Sequence, residues 1–287
     1  MKIRAPAKIN LRLRVVGKRK DGYHLIDTIM VPVSLYDEIE ITKSRAHGTV
    51  ANAKLVEATC DHPAVPQGEK NLAYRAARTI LNDKPMGERV HIHIKKRIPV
   101  GGGLGGGSSD AAAVLIGLNR VFSFNYSSKE LERIALSVGA DVPFFIRGVP
   151  ARARGIGERL TPIRGLPQFW MIIAYPGFPI STAWVYGNLG PKLTKYKLNT
   201  SINFPLRSPE TISRLLVNDL ETVTAGRYPK VGLLKEKLIQ AGAIGALMSG
   251  SGSSVFGVFD SRRRAQHALR GLRKEEGVET FLVQALT

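Results

Sequence analysis

Hydrophobic and polar residues alternate along the first forty positions of the chain, as they do in β-strands with one buried face. The segment KIRAPAKINLRLRVVG, residues 2–17, alternates in this way, and LIDTIMVPVSLYDEIEI, residues 25–41, resumes the pattern. Between them, KRKDGYH contains Asp21-Gly22, a dipeptide that favours a turn. The pattern therefore predicts strand, turn and strand.

The spacing changes in the middle of the chain. KNLAYRAARTILN, residues 70–82, has apolar residues at helical intervals, and RVHIHIKKRIPV, residues 89–100, alternates again. SSDAAAVLIGLNRVF, residues 108–122, is rich in good helix formers. Ser127 and Glu130 have the spacing of a capping box, which predicts another helix over LERIALSVG.

The second half of the chain predicts a further mixture of strands and helices. Strands are expected in PQFWMIIAYPGFPIS, in the end of GALMSGSGSSVFGVF and in ETFLVQAL; helices are expected in ETISRLLVNDLE, YPKVGLLKEKLIQAG and SRRRAQHALRGLRK. Residues 187–208 are rich in Gly, Pro, Asn, Lys and Ser, and are interpreted as a loop or flap. Alternation of strands and helices, with a boundary near 160–170, predicts two α+β halves, residues 1–165 and 166–287.

Composition and charge narrow the classes of function. The formal net charge is +19, and the cations are spread along the chain, which favours anionic ligands. Cys60 is the only cysteine, so an intrachain disulfide is excluded and a cytoplasmic location is expected. Lysines and arginines interrupt the N-terminal apolar residues, and no apolar run reaches 18 residues, so neither a signal peptide nor a membrane span is expected.

One stretch, PVGGGLGGGSSDAAA, stands between a predicted strand and a predicted helix. Glycines let backbone N–H groups approach an anion, and the first N–H groups of a helix have no intrahelical partner. The stretch therefore predicts a phosphate-binding loop, with a flexible linker as the alternative. Ser108 and Ser109 could add hydroxyl contacts or bind Mg²⁺, although no metal ligand is assigned.

The two common phosphate loops do not fit this stretch. Gly101, Gly103 and Gly106 satisfy G-x-G-x-x-G, but no acidic residue ends a strand about 20 residues later, as a dinucleotide fold requires. No lysine follows Gly107, so the loop is not a Walker A motif.

PVGGGLGGGSSDAA does resemble the second motif of the GHMP kinases, with two extra glycines before the serines. APAKINLRLRV is similar to the first motif of that family, and MSGSGSSVFGVF is similar to the third. KDGYHLIDTI, GADVPFFIRG and NDLE are similar to segments of the members that act in non-mevalonate isoprenoid synthesis on a cytidine diphosphate substrate. The resemblance extends from Lys2 to about Phe259.

The resemblance implies a two-domain α+β GHMP kinase fold. Its N-terminal domain would be an α/β domain similar to ribosomal protein S5, and its C-terminal domain would be ferredoxin-like. It also implies transfer of a phosphoryl group from ATP, with Mg²⁺, to a substrate 2-hydroxyl. Asp141 would be the general base and Lys8 its electrostatic partner. From the residues alone, Asp141 could equally be a turn residue before Pro143, and Lys8 a solvated strand lysine.

For ATP, the resemblance implies contacts from Asn71, Leu72 and Lys96, and from the glycine loop. The loop positions are Pro99, Val100, Gly101, Gly102, Gly103, Leu104, Gly105, Gly106, Gly107, Ser108 and Ser109. Lys96 could instead be one of three consecutive solvated cations. The loop Ser249–Ser253 could close over the site or support the glycine loop.

For the acceptor substrate, the resemblance implies that Tyr23 and Tyr186 stack on the cytosine and that His24 binds its edge. Asn10 and Thr182 would contact the sugar or erythritol part. His91 and His93 lie two apart on a predicted strand, and without a third ligand nearby they are interpreted as structural, as are Cys60 and His62.

Other functions stay open at this point. Another GHMP kinase, of homoserine or mevalonate type, would keep the glycine loop without needing DGYH or Tyr186. A nucleic-acid-binding protein would suit the charge, but no stripe of interleaved basic and aromatic residues is present and aromatic residues make up only 7% of the chain. The expected partner is a small cytidine diphosphate substrate, with no nucleic acid and no membrane, in a monomer or homodimer.

Overall fold

A computed structural model describes residues 1–45, 56–81, 88–190 and 208–287. The strands are β1 (Lys2–Lys18), β2 (His24–Arg45), β3 (Val56–Cys60), β4 (Glu88–Lys95), β5 (Ala151–Gly155), β6 (Arg159–Pro162), β7 (Trp170–Tyr175), β8 (Val217–Asn218), β9 (Gly245–Met248), β10 (Val255–Phe259) and β11 (Glu279–Gln284). The helices are α1 (Leu72–Leu81), α2 (Gly106–Val121), α3 (Ser128–Val138), α4 (Val142–Arg147), α5 (Thr182–Gly187), α6 (Pro209–Ser213), α7 (Glu221–Arg227), α8 (Pro229–Gln240) and α9 (Arg262–Leu272).

The described residues form two compact units that are discontinuous along the chain. The first comprises residues 1–7, 35–100 and 105–148, and the second comprises residues 8–34, 101–104 and 149–287. The long strands β1 and β2 therefore each contribute to both units. Because the units interleave along the sequence, a single boundary at residue 165 stays a prediction.

In the first unit, helices pack on a sheet built from β3, β4 and the second half of β2. Strand β4 pairs in parallel with β3 and antiparallel with residues 38–45 of β2. Helices α1 to α4 pack against one another. Helix α2 approaches the strands closely at Gly117, where a Cβ atom would lie 2.4 Å from Ile41 and 2.7 Å from Ile3. A larger residue here would have to displace the ends of these two side chains.

In the second unit, β11, β7, β10 and β9 form an antiparallel sheet in that order. All five residues of β10 are buried, and helices α8 and α9 pack against this sheet. The same unit contains the first half of β2, which pairs with β5, and the parallel pair of β1 with β8. This second group of strands carries several of the predicted site residues.

Most predicted elements are confirmed, including the capping box of Ser127 and Glu130 at the start of α3. The prediction of one helix over residues 210–221 is wrong, because α6 ends at Ser213 and residues 217–218 form β8. Strand β8 exists because this stretch pairs with β1 and the Asp219 N–H donates to the Leu13 carbonyl at 3.0 Å. Tertiary hydrogen bonds thus outweigh helical periodicity here.

The predicted loop or flap over residues 187–208 lies mostly outside the described residues. Gly187 is the last residue of α5, and Asn188 caps that helix. Residues 191–207 are not described. Within the described ranges, every helix is too short or too polar to cross a lipid bilayer.

Candidate active site

Lys8 and Asn10 lie two residues apart on β1, and their side chains contact each other. The Lys8 ammonium donates to Asn10 Oδ1 at 2.5 Å and to the Gly103 carbonyl at 3.0 Å. The Lys8 N–H also donates to the Leu104 carbonyl at 2.9 Å. Lys8 is 5% exposed, so the alternative of a solvated strand lysine is wrong.

Asn10 continues this hydrogen-bonded row towards β2. Its side-chain amide donates to Thr28 Oγ1 at 2.8 Å, and the Thr28 hydroxyl donates to the Arg12 carbonyl at 2.6 Å. Asn10 and Thr28 are both buried. The orientation of the Asn10 amide is thereby fixed, with its oxygen towards Lys8.

The carbonyl groups of residues 101–104 are all engaged within the second unit. They accept hydrogen bonds from the Ile180 N–H, the Ser254 N–H, the Ser249 hydroxyl and the Lys8 N–H, in chain order, at 2.9–3.2 Å. In a trans peptide the N–H of the next residue points opposite to the carbonyl. The amides that follow these carbonyls are therefore turned away from the atoms that hold the loop, as an anion-binding loop requires.

Glycine is required at two positions of this loop. Gly103 has φ +77°, and a Cβ there would lie 2.1 Å from the Ser249 carbonyl oxygen. Gly101 has φ +70°, and its Cβ would lie 2.5 Å from the Pro179 side chain. A flexible linker would have no such contacts, so the structure favours a fixed loop.

Helix α2 begins directly after the loop with an N-terminus that lacks a side-chain cap. Its N-cap is Gly105, in the left-handed conformation. The Ser109 hydroxyl is buried in the first turn and has no hydrogen-bond partner within the described part of the chain. An uncapped N-terminus and an orphaned buried hydroxyl fit phosphate oxygens, or a Mg²⁺ ion carried with them.

Lys96 is not a solvated cation. Its ammonium lies 2.5 Å from Asp37 Oδ2 and 2.8 Å from Asp110 Oδ2, and its side chain is 4% exposed. The other Asp37 oxygen accepts the N–H groups of Arg97 and Ile98. We call Lys96, Asp37 and Asp110 the ion cluster; it fixes the end of β4 to β2 and to the N-terminal part of α2.

The charged groups of the ion cluster shift each other's pKa values. Burial raises the pKa of Asp110, and although Lys96 opposes this effect, the nearby Asp37 reinforces it, so the pKa reaches about 7. Burial would lower the pKa of Lys96, but the two carboxylates outweigh it and the pKa rises. The Lys96 ammonium is thus held charged by carboxylates, and sequence reasoning missed both of these partners because they are distant in the chain.

Asn71 and Leu72 stand at the start of α1. Asn71 is buried, and its side-chain oxygen accepts the Ala73 N–H at 2.9 Å. The Leu72 side chain lies near Gly107, where a Cβ would be 3.8 Å from Leu72 Cδ1. The two adenine-side candidates and the start of α2 are therefore neighbours within the first unit.

Asp141 occupies the N-cap position of α4 but does not cap it. Its side chain makes no capping hydrogen bond, and Pro143 follows in the first turn. The half-buried carboxylate is therefore not used to satisfy the helix that it precedes. Asp141 belongs to the first unit and Lys8 to the second, so their pairing stays a prediction.

The aromatic candidates divide into a contacting pair and an exposed ring. The His24 ring stacks on Tyr186 with centroids 5.2 Å apart and an angle of 28° between the planes. Tyr23 is 62% exposed, so it is not a core aromatic residue. Burial and the charge of Lys18 lower the pKa of His24, which favours the neutral ring with one donor and one acceptor nitrogen.

Thr182 and Tyr186 lie four residues apart on α5 and so share one face of that helix. The Thr182 hydroxyl is 2.8 Å from the Ser251 hydroxyl. Helix α5 thus places its two candidates beside residues 249–254 and beside His24, respectively.

Residues 249–254, the serine loop, form a buried turn that supports the glycine loop. Ser249 and Ser254 bond to the Gly103 and Gly102 carbonyls. The Asn218 amide donates to the Met248 and Gly250 carbonyls at 2.8 and 2.7 Å. The supporting role is therefore confirmed by contacts, and Asn218 has a positioning role that the NDLE motif alone did not reveal.

His91 and His93 both contact Thr59. The Thr59 hydroxyl is 3.3 Å from His91 Nε2 and 3.0 Å from His93 Nδ1. Among the residues that the structure describes, no cluster of His, Cys, Asp and Glu is suited to hold a metal ion.

Comparison with known families identifies the class. The GHMP kinases N terminal domain family matches residues 71–149, and the GHMP kinases C terminal family matches residues 202–278. The chain belongs to the GHMP kinases, and the predicted α+β GHMP fold is confirmed.

Individual relatives are similar over nearly the full length. The 4-diphosphocytidyl-2-C-methyl-D-erythritol kinase of Citrifermentans bemidjiense is 48% identical over 279 residues, covering 96% of both chains. That of Geobacter metallireducens is 44% identical, covering 99% of this chain and 98% of the relative. A crystal structure of 4-(cytidine 5'-diphospho)-2C-methyl-D-erythritol kinase matches with a TM-score of 0.82, 34% identity and full coverage of both chains. Homoserine kinase from Cytophaga hutchinsonii matches at a TM-score of 0.76 and 18% identity, covering 100% of this chain and 94% of that one, which shows the fold alone.

Proposed function

We propose that this chain is an ATP-dependent kinase that phosphorylates the 2-hydroxyl of 4-diphosphocytidyl-2-C-methyl-D-erythritol, giving the 2-phosphate and ADP in isoprenoid precursor synthesis. The observation that carries the proposal is the identity of up to 48% to kinases of that name over 96% of both chains. The Lys8–Asn10 contact and the stacking of His24 on Tyr186 support it, because each brings together two residues that the family resemblance assigns to this reaction.

In the proposed reaction, the chain contributes mainly position and charge, since phosphoryl transfer needs little covalent work from the protein. The amides after the engaged carbonyls of residues 101–104, with the first N–H groups of α2, would bind the ATP phosphates. Asn71 and Leu72 would contact the adenine side. The Lys96 side chain would act indirectly, because its ammonium is held by Asp37 and Asp110.

Asp141 would accept the proton of the 2-hydroxyl as that oxygen attacks the terminal phosphorus of ATP. Lys8 would stabilise negative charge at the reacting oxygen and keep Asp141 ionised, since a nearby cation favours a carboxylate. Mg²⁺, bound with the phosphates, would neutralise part of their charge. Ser108 or Ser109 would be its protein ligand, for which the orphaned Ser109 hydroxyl is suited.

At the other end of the substrate, Tyr23 and Tyr186 would stack on the cytosine, and stacking on an aromatic ring contributes about 1–3 kcal/mol per base. Neutral His24 would bind the base edge, and Asn10 and Thr182 would contact the sugar or erythritol. A cytoplasmic monomer or homodimer that binds no nucleic acid stays part of this proposal.

A coupled ADP-release assay tests the proposal by comparing the cytidine diphosphate substrate with homoserine and mevalonate. We expect turnover with the first alone. Asp141→Asn should lower kcat by about 10²- to 10⁴-fold, the usual contribution of a general base, while the Kd for ATP changes less than about twofold. Turnover of homoserine or mevalonate in preference to the cytidine compound would contradict the substrate assignment. An unchanged kcat in Asp141→Asn would show that Asp141 is not the general base.

A further inference from the structure

Arg12 follows Lys8 and Asn10 along one face of β1. Residues two apart on a strand share a face and are spaced by about 6.6–6.8 Å. Leu11 and Leu13, on the opposite face, are buried, whereas Arg12 is half-buried. The row therefore continues the predicted acceptor site beyond Asn10, with a cation at its next position.

The neighbouring arginines are paired with carboxylates. Arg14 Nη1 donates to Asp219 Oδ1 at 2.7 Å, and the other Asp219 oxygen accepts the Val15 N–H at 2.8 Å. Arg152 bonds Asp27 through two parallel contacts of 2.8 and 2.6 Å. Both carboxylates are buried and both of their oxygens are engaged.

Arg12 is the surplus cation of this group. Its Nε is buried and has no hydrogen-bond partner within the described residues. Burial lowers the pKa of Arg12, and the charges of Arg14 and Arg152 add to this effect while Asp27 and Asp219 oppose it. Three guanidinium groups and two carboxylates leave one net positive charge and an unused donor, which an anion would satisfy.

The two ends of the predicted acceptor site lie on either side of Arg12 along the β1–β2 hairpin. Lys8 marks the reacting end. β1 and β2 are neighbours in their sheet, and the Arg19 N–H closes the turn between them by donating to the Tyr23 carbonyl at 2.7 Å. His24, which stacks on Tyr186, therefore belongs to the turn end of the hairpin, and Arg12 lies between that end and Lys8.

We propose that the Arg12 guanidinium binds the diphosphate that joins the cytidine to the erythritol part of the acceptor substrate. This inference rests on the proposed function. A guanidinium suits the role because its planar fork of donors matches two phosphate oxygens at once and keeps its charge when partly buried. In the substrate, the diphosphate stands between the reacting alcohol and the base, as Arg12 stands between Lys8 and His24.

The test compares the binding of CDP and of cytidine by calorimetry in wild type, Arg12→Gln and Arg12→Lys. We expect Arg12→Gln to weaken the binding of CDP by about 10- to 100-fold, which is the range for a hydrogen bond to a charged group. The binding of cytidine should weaken by less than about twofold. Arg12→Lys should keep part of the preference for CDP, because it keeps the charge without the fork. Arg263→Gln, on an exposed arginine of α9, removes the same formal charge and should leave both Kd values unchanged.

Steady-state kinetics provides a second measurement on the same proteins. Arg12→Gln should raise KM for the cytidine diphosphate substrate and leave KM for ATP within about twofold. If Arg12→Gln kept the wild-type preference for CDP over cytidine, or lost affinity for both ligands equally, the assignment of Arg12 would be overturned. Failure of the proposed function is distinct, since wild type would then not turn over the cytidine substrate at all. Near-wild-type melting temperatures exclude misfolding as the cause.

Discussion

Lys8 and Lys96 are two buried lysines in different regions of the molecule, and their surroundings differ. The hydrogen bonds described for the Lys8 ammonium go to an amide oxygen and a backbone carbonyl, whereas Lys96 lies between two carboxylates. The charge of Lys96 is matched within the fold, where it ties three segments together. The comparison teaches that burial of a lysine near a glycine loop does not by itself identify a ligand: the groups around its ammonium do.

A Lys8→Met variant should show the largest effect and tests whether Lys8 differs from Lys96 in its role. Loss of the cation at the reacting end should reduce kcat by at least about 10²-fold, while the Kd for ATP stays close to that of wild type. Lys2→Met, an exposed lysine of the same strand, is the control. Steady-state kinetics and ATP titration measure both effects, and a variant with wild-type kcat would place Lys8 with the structural lysines.

Lys96→Met should act on stability first. Removal of the cation leaves Asp37 and Asp110 buried beside each other, and breaking a buried pair in this way costs about 3–5 kcal/mol. The neighbouring Lys95 is half-exposed, so Lys95→Met should change the free energy of unfolding by less than about 1 kcal/mol. Urea denaturation measures both variants. Equal stabilities would show that the ion cluster does not hold these segments together.

The smallest expected effect is the pH dependence of the ion cluster. Because the pKa of Asp110 is raised to about 7, the folded protein keeps a proton that the unfolded chain has released, between about pH 4 and pH 7. This stabilising contribution is complete below the ordinary pKa of 3.8 and is lost as the pH rises through about 7.

The free energy of unfolding of wild type should therefore fall from about pH 5 to about pH 8, and in Asp110→Asn it should fall by about 2–3 kcal/mol less, since about two pH units of the shift lie in this range at about 1.4 kcal/mol each. Denaturation at several pH values, without nucleotide or Mg²⁺, measures the slope, and Asp21→Asn, at an exposed carboxylate, is the control. Parallel slopes in wild type and Asp110→Asn would contradict the raised pKa.

Much of the fold is readable from local pattern. Strand alternation, helical spacing and the Ser127–Glu130 box predict β1, β2, α1 to α3, α8 and α9, because each has a regular apolar face. The short strand β8 was missed, because it is a strand only through its pairing with β1, 205 residues earlier in the chain. Such pairings leave no periodic trace in a segment of two residues.

The candidate site divides in the same way. The glycine loop is recognisable because glycine at residues 101 and 103 is a steric necessity. The partners of Lys96, the support from Asn218 and the Arg12 Nε atom that lacks a hydrogen-bond partner among the described residues could not be predicted, because each depends on which distant side chains meet. Motif resemblance suggests which residues matter, whereas only the packing of the chain tells which charges are already matched.

The hydrogen bonds that engage the carbonyls of residues 101–104 also affect how much conformational entropy the loop loses when a nucleotide binds. A glycine-rich segment ordinarily loses much conformational entropy when it closes on a ligand. Here that loss is met when the chain folds, because the serine loop and β1 already hold the backbone. The loop should therefore need little rearrangement when a nucleotide binds, and less of the binding free energy should be lost in ordering it.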